Sequence, residues 1–501
     1  MYRDTLKQME FEEFKLPFGG RLKSDNRWVK LAKKIPWDEI EEIYISNLAG
    51  TGMGAPAKSS RVALGSLIIK EHYGKSDEET VWEIQENPYL QYFLGYQAYS
   101  DKRPFDPSMF THFRLRFGLS GTQKVNDIIG CRIKKDIAQT SQFKEKSDKD
   151  DDPPENSGKL ILDATCAPAD ITFPTDLKVL NDARVKSEAI IDDLHEPLKG
   201  TEKKPRTWRK TARRDFLRAA KAKRLSERKR RKAIRKQLGY LGRNLRSIKE
   251  LSQKIPLACL TRKQYKNLLV IHEVYRQQKI MFDKKLRRID DRIVSVHQPH
   301  IRPIKRGKAG RETEFGAKIS VSLVDGVAFV DHVRWDNFNE GGDLPAQAKA
   351  YRKRFGCWPE SIHADKIYRN RDNLKFCRKN GIRLSGPPLG RRPIESSENK
   401  AMAREDERDR VGIEGKFGQG KRRFNLGRIM SKGPETSSCS IVMSFLVMNL
   451  MKWLKVIFYV LFFGLSAKAK GIGTALVAAQ IRFGNDFMRW MIGRPKPVPD
   501  S

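Results

Sequence analysis

The sequence predicts an α/β protein in which a mixed sheet is flanked by helices, preceded by a helical region and interrupted by a long basic helical insertion. Three observations carry this prediction. Apolar residues recur at helical spacing between residues 59 and 117, short apolar runs of strand type begin at residue 159 and return after residue 300, and the segment between them is dominated by helix formers.

The chain has 501 residues, of which 39% are hydrophobic, so it buries real cores and divides into roughly two to four domains. Wholesale disorder and a disulfide-stapled miniprotein are excluded. Its 99 Lys plus Arg against 61 Asp plus Glu leave a formal charge of +38, which points to an anionic partner, either nucleic acid or a membrane surface. Charge alone does not choose between them. The six Cys show no Cys-x-x-Cys pair and no zinc spacing, and are expected to be reduced thiols. With no secretory signal in the opening residues, the expected location is the cytoplasm, at the nucleoid. The most apolar stretch, residues 440–465, is split by Lys452 and Lys455 into charge-free runs of 15 and 12 residues. Both are shorter than the roughly 18 needed to cross a bilayer, so a buried helix pair is expected and no membrane.

Residues 1–58 form an N-terminal segment with an amphipathic stretch around 28–45 and a Gly-rich break at 49–54. Residues 59–141 are expected to be a helical domain for DNA binding or assembly, in which Ser108 sits as the N-cap of a short basic helix carrying Arg114 and Arg116. Charge and proline mark 142–158 as a linker. The next domain, 159–466, opens on the strand-type run Lys159-Leu-Ile-Leu-Asp163 and contains the helical insertion, about 180–300. Within that insertion, 203–249 holds 21 Lys or Arg against only Asp215 and Glu227, half of the protein's excess charge. A cationic amphipathic helix is expected there. Alternating runs 318–324 and 327–333 around Asp325-Gly326 predict a β-hairpin. A helix at 344–355, a strand at 361–364 ending at Asp365, a helix at 371–379 and a strand at 382–385 follow, then helices and a basic tail at 467–501.

Three acids stand out: Asp163 on the first strand, Asp365 leaving the strand after the hairpin, and Glu414 in the segment Asp409-Arg410-Val-Gly-Ile-Glu414-Gly-Lys416. A carboxylate at a strand end is also an ordinary turn former. Their order and context single them out. The block Leu162-Asp163-Ala-Thr-Cys166, the block His363-Ala-Asp365-Lys-Ile-Tyr368 and the spacing Arg410-x3-Glu414-x6-Lys421 together resemble the bacterial insertion-sequence transposases of the DDE type, in particular the IS-five-like group. The resemblance extends over most of 59–450. It implies a ribonuclease-H-like fold, with Asp163, Asp365 and Glu414 as catalytic residues and metal ligands. One departure is visible: the tyrosine normally three residues before the arginine is replaced by Glu407.

What the resemblance implies is a DNA transposase: cleavage at terminal inverted repeats, then attack of the freed 3′-hydroxyls on target DNA, by a homodimer or higher multimer. The alternative is a decayed transposase that only binds DNA. Phosphodiester transfer suits two Mg²⁺ per site, or Mn²⁺, held by hard carboxylate oxygens. Arg410 and Glu414 are i and i+4 on a helix and Lys421 lies seven further, so all three share a face, although Gly412, Gly415, Gly418 and Gly420 weaken that helix. Expected DNA contacts are Arg410, Lys421, Lys416 and Arg422, with Arg213, Arg214, Arg228, Lys229, Arg230 and Arg231 of the insertion as a backbone clamp. Asp170, Asp176 and Asp182 read as loop or cap residues. His363 reads as structural and turned to the face opposite Asp365, and Trp208, Trp335 and Trp358 as core residues with DNA stacking as the sharper option.

Overall fold

A computed structural model describes residues 14–16, 19–48, 56–142, 156–305, 313–387 and 397–468. The Gly-rich break, most of the expected linker and the basic tail lie outside the described residues.

Six helices come first: α1 (Arg27–Lys34), α2 (Trp37–Ser46), α3 (Ser60–Tyr73), α4 (Asp77–Glu86), α5 (Pro88–Phe93) and α6 (Met109–Gln142). Local chemistry sets their ends. Ser59 and Ser76 cap α3 and α4, the latter in a capping box with Glu79, and Gly74 closes α3 in the left-handed conformation. The expected short basic helix is instead the start of α6, 34 residues long with a non-helical break at Gly118. Arg114 is buried there in an ion pair with Asp77 at 2.8 Å, so it serves the helical core.

The sheet contains β1 (Lys159–Pro168), β2 (Arg302–Lys305), β3 (Thr313–Val324), β4 (Val327–Arg334), β5 (Ser361–Ala364) and β6 (Arg383–Leu384). Its order is β4-β3-β1-β5-β6, and β2 shares the outer edge of β3 with β4. β1 runs antiparallel to β3 and parallel to β5, giving a mixed sheet compatible with a ribonuclease-H-like domain. The β3–β4 hairpin turns at Asp325 and Gly326, with φ of 50° and 73°, as a two-residue turn with both centres left-handed requires. Two helices, α11 (Leu344–Phe355) and α12 (Arg371–Lys379), flank β5 in the chain, and α13 (Ser397–Arg423) and α14 (Pro434–Lys468) complete the order.

The apolar stretch at 440–465 belongs to a single helix, α14, not to a helix pair. Its hydropathy and length would suffice for a membrane span, yet Cys439, every residue from Ile441 to Leu450, and Trp453 are buried against α6, α3 and β4. Contact with three elements explains why the helix is apolar all round. At the sheet edge, Asn449 accepts from the Ala328 N–H at 2.9 Å and donates to its carbonyl at 2.7 Å, while Asn126 donates to the same carbonyl at 3.0 Å. Side chains thus satisfy backbone groups that a further strand would otherwise pair.

Between β1 and β2, α7 (Asp176–His195), α8 (Arg209–Ala220), α9 (Glu227–Ser252) and α10 (Arg262–Asp283) enclose a separate hydrophobic cluster that includes Leu180, Ile191, Leu241, Ile248 and Ile271. The one cationic helix expected over 203–249 is two. Residues 221–226 break it, and Ser226 restarts the chain as the N-cap of α9 by accepting from the Lys229 N–H.

Candidate active site

β1 lies between β3 and β5, so its centre is shielded from water and a carboxylate there is costly. Asp163 occupies that place. The last parallel pair between β1 and β5 is Leu162 with Ala364, which makes Asp163 and Asp365 the next residues on adjacent strands and sets both on one face. Asp365 opens a 3-10 turn, Lys366–Tyr368, and its carboxylate accepts from the Lys366 N–H at 2.7 Å. Helix α13 crosses the same face, with Ile413 and Phe417 buried and Gly412 beside Leu323 of β3. Its register puts Arg410, Glu414 and Lys421 toward the two aspartates.

These five side chains line one cavity of about 850 Å³, together with Glu340, Lys318 and Lys305. Burial pushes the Asp163 carboxyl up to about 6; the Ala164 N–H opposes this, the charges of Glu340 and Asp365 add to it, and Arg410 opposes it. Arg410 donates from Nη1 to Glu414 Oε1 at 3.0 Å, and from Nε and Nη2 to the two oxygens of Glu407 at 3.2 and 2.7 Å. Lys318 pairs with Glu340 at 2.9 Å. Beneath the site, Tyr368 is fully buried, its hydroxyl has no hydrogen-bond partner, and burial raises its phenol well above the usual range, with Glu340 and Asp163 nearby.

The donor set suits a divalent cation in its chemistry: the carboxylates of Asp163, Asp365, Glu414 and Glu340, all hard oxygen donors, line one cavity. Among the described residues, however, no three acids are grouped closely enough for one ion, and Glu414 is engaged by Arg410. Asp163, Asp365 and Glu414 are the residues that would hold the metal, provided Glu414 turns from Arg410.

The other expected DNA contacts fall elsewhere. Lys416, two residues beyond Glu414, is directed away from the cavity and donates to the Gly326 carbonyl at 3.2 Å in the hairpin turn. Burial, with Lys452 and Lys455 close by, pushes its ammonium down to about 7. Its environment is internal, which corrects the reading of Lys416 as a DNA contact. Arg422 is exposed in the last turn of α13, and Lys421 is still within that helix. In the insertion, Arg213, Arg214, Arg228, Lys229 and Arg230 are exposed, whereas Arg231 is half-buried and donates to the Phe282 carbonyl at 2.8 Å. Asp170, Asp176 and Asp182 are ion-paired with Arg428, Arg292 and Lys178. Trp208 is 40% exposed beneath Arg206, while Trp335 packs on His300 and Trp358 on Phe376. His363 is buried between Ser361 and Asp406 of α13. It therefore faces the same side as Asp365, as residues two apart on a strand must.

Glu340 and Lys318 were not legible as site residues. Glu340 lies in a 3-10 turn within Asn337-Phe-Asn-Glu-Gly-Gly-Asp343, whose composition reads only as a loop. Lys318 lies in the middle of β3 and has no local signal.

The α13 glycines differ in their surroundings. A Cβ at Gly415 would meet nothing within 4 Å, whereas at Gly420 it would press on Leu426 and Met448 at 3.1 and 3.2 Å. Gly415→Ala is therefore expected to stabilise the protein by up to about 1 kcal/mol, and Gly420→Ala to do less or to destabilise. Denaturant midpoints of the two variants check this. Equal shifts would show that these contacts do not govern the helix.

Residues 362–451 match the family model of a transposase DDE domain, and residues 17–116 match that of a transposase domain (DUF772). The first match spans Asp365 and Glu414; Asp163 lies outside both. The chain is also similar to an uncharacterized protein, ORF8 in the nfe locus of Rhizobium meliloti, at 29% identity over 151 residues. That alignment covers 30% of this chain and 66% of the relative, just under two thirds of its length. No solved structure matches.

Proposed function

The two domain matches place this chain among the insertion-sequence DDE transposases, proteins of DNA transposition with nuclease and transesterase activity in general, and from that premise we propose its chemistry. The chain cleaves DNA at the terminal inverted repeats of its element and joins the 3′ ends to target DNA, with Mg²⁺ or Mn²⁺ bound by Asp163, Asp365 and Glu414. The observation that carries this reading is the placement of Asp163 and Asp365 at adjacent strand ends, on one cavity with Glu414, Arg410 and Lys421.

A bound divalent ion supplies charge stabilisation at the scissile phosphate and lowers the pKa of the attacking water or hydroxyl. The protein's own residues position the rest. Asp163, fixed in the central strand, and Asp365, fixed at the start of a turn, form a rigid pair of oxygen donors. Arg410 and Lys421 grip phosphate oxygens beside the scissile bond, Arg410 through charge-assisted hydrogen bonds. In the first step a water oxygen attacks phosphorus and the bond to the 3′ oxygen breaks, leaving a 3′-hydroxyl and a 5′-phosphate. In the second, that 3′-hydroxyl attacks a target phosphorus and displaces the target's own 3′ oxygen, so the number of phosphodiester bonds is conserved. The exposed basic residues of α8 and α9 hold the DNA backbone. Residues 59–141 serve assembly or DNA binding, and the acting species is a homodimer or higher multimer.

The test is strand cleavage and joining on an oligonucleotide bearing the element's ends, with Mg²⁺ and with chelator. Cleavage that requires the metal is expected. Salt-sensitive DNA binding with no cleavage under any divalent metal would replace this reading with that of a DNA-binding protein.

A further inference from the structure

Glu407 stands where the resembling transposases carry tyrosine, and its carboxylate takes two of the Arg410 guanidinium's N–H groups in a fork, at 3.2 and 2.7 Å. A third N–H goes to Glu414 Oε1 at 3.0 Å. The three residues are i, i+3 and i+7 on α13, one face of one helix. Glu407 is the outer member, with its side chain 62% exposed, against 23% for Arg410. The charge of Arg410 also acts on Asp365 and Asp163. Among the cations that line the cavity, Arg410 is the one hydrogen-bonded to Glu414, and one oxygen of Glu414 is committed to it.

We propose that Glu407 is a positioning residue that retains Arg410 while Glu414 transfers from the guanidinium to a divalent cation. The inference rests on the metal-binding reading of Asp163, Asp365 and Glu414. Arginine does not lose its proton, so a metal reaches Glu414 only by competing with a permanent positive charge. With Glu407 in place, Arg410 gives up one hydrogen bond and keeps a bidentate pair. Without it, Glu414 is the remaining carboxylate bonded to the guanidinium, and metal binding must break that pair outright. A tyrosine at 407 offers no such fork, so this exchange belongs to the present chain.

The experiment is a Mn²⁺ titration of the full chain without DNA, followed by the electron paramagnetic resonance signal of free Mn²⁺, with circular dichroism melts to check folding. Glu407→Gln is expected to raise the half-saturating Mn²⁺ concentration about fivefold, the order of a partly exposed ion pair, with stoichiometry unchanged. Loss of negative charge near the site would by itself act in the same direction. A double-mutant cycle separates the two: in an Arg410→Gln background, adding Glu407→Gln should leave the half-saturating Mn²⁺ concentration unchanged, whereas a simple charge effect raises it about as much as in the wild type. Glu407→Tyr should behave like Glu407→Gln and replaces it if the latter melts early. Unchanged affinity in the Glu407 variants, or a Glu407→Gln loss that persists in the Arg410→Gln background, overturns the proposal. A wild-type chain that takes up no Mn²⁺ overturns the metal-binding reading itself.

Discussion

Asp163→Asn and Glu414→Gln are each expected to lower metal-dependent strand cleavage by about 10³-fold, because a lost carboxylate ligand removes several kcal/mol of charge stabilisation from the transition state. Asp163 has a second, separable effect. Its carboxyl is held up at about 6 by burial, with Glu340 and Asp365 adding to the shift, so the folded protein disfavours the ionised form. The unfolded chain ionises near the ordinary value of 3.8. The resulting destabilisation is absent below about pH 4, grows as pH rises between the two values, and is complete above about pH 6. Asp163→Asn removes it, so at pH 7 without metal the variant should be more stable by on the order of 1–3 kcal/mol, with the gain vanishing toward pH 4. Thermal melts at both pH values, beside single-turnover cleavage, read the two effects. A variant that is inactive and also less stable at pH 7 would mean that Asp163 holds the fold together and that its loss of activity says nothing about catalysis.

Replacing Arg213, Arg214, Arg228 and Lys229 together by Gln should leave the fold intact, since all four are exposed, and should weaken DNA binding through its salt dependence. Each backbone contact contributes about 0.9 to the slope of log affinity against log salt, so four contacts contribute about 3 to 4. Between 50 and 200 mM salt the variant's affinity should then fall by about 100-fold less than that of the wild type. Filter binding or fluorescence anisotropy across that range measures it. An unchanged slope would show that the insertion does not touch DNA, and would leave the chain's charge excess without its proposed use.

The elements most legible in the sequence were those whose signal is local. The Asp325-Gly326 hairpin, the strand at 361–364 and the helices at 344–355 and 371–379 follow from alternation, turn chemistry and helical periodicity, and the structure has them. Continuity was harder to read. Two lysines in 440–465 suggest a break, yet Lys452 and Lys455 ride on one helix at its emergence from the core, Lys455 exposed and Lys452 half-buried beside the Gly326 turn. The basic stretch errs in the other direction: good helix formers run through 221–226, but the chain turns there and Ser226 caps a new helix. A long charged periodic run does not reveal where its two halves must fold against separate partners.

The candidate site divides in the same way. It was the family resemblance carried by the residues around Asp163, Asp365 and Glu414 that grouped these acids with Arg410 and Lys421, while composition by itself put half of the excess charge in one insertion. Only the tertiary structure decided which of these side chains share a cavity. It turns Lys416 inward to the hairpin, brings Glu340 and Lys318 to the aspartates from a loop and from the middle of β3, and binds Arg410 to both Glu407 and Glu414. The physical reason is that backbone period and turn chemistry act over a few residues. The direction of a charge and its competing partners are set by strand register and helix packing across more than 150 positions, and no local pattern encodes them.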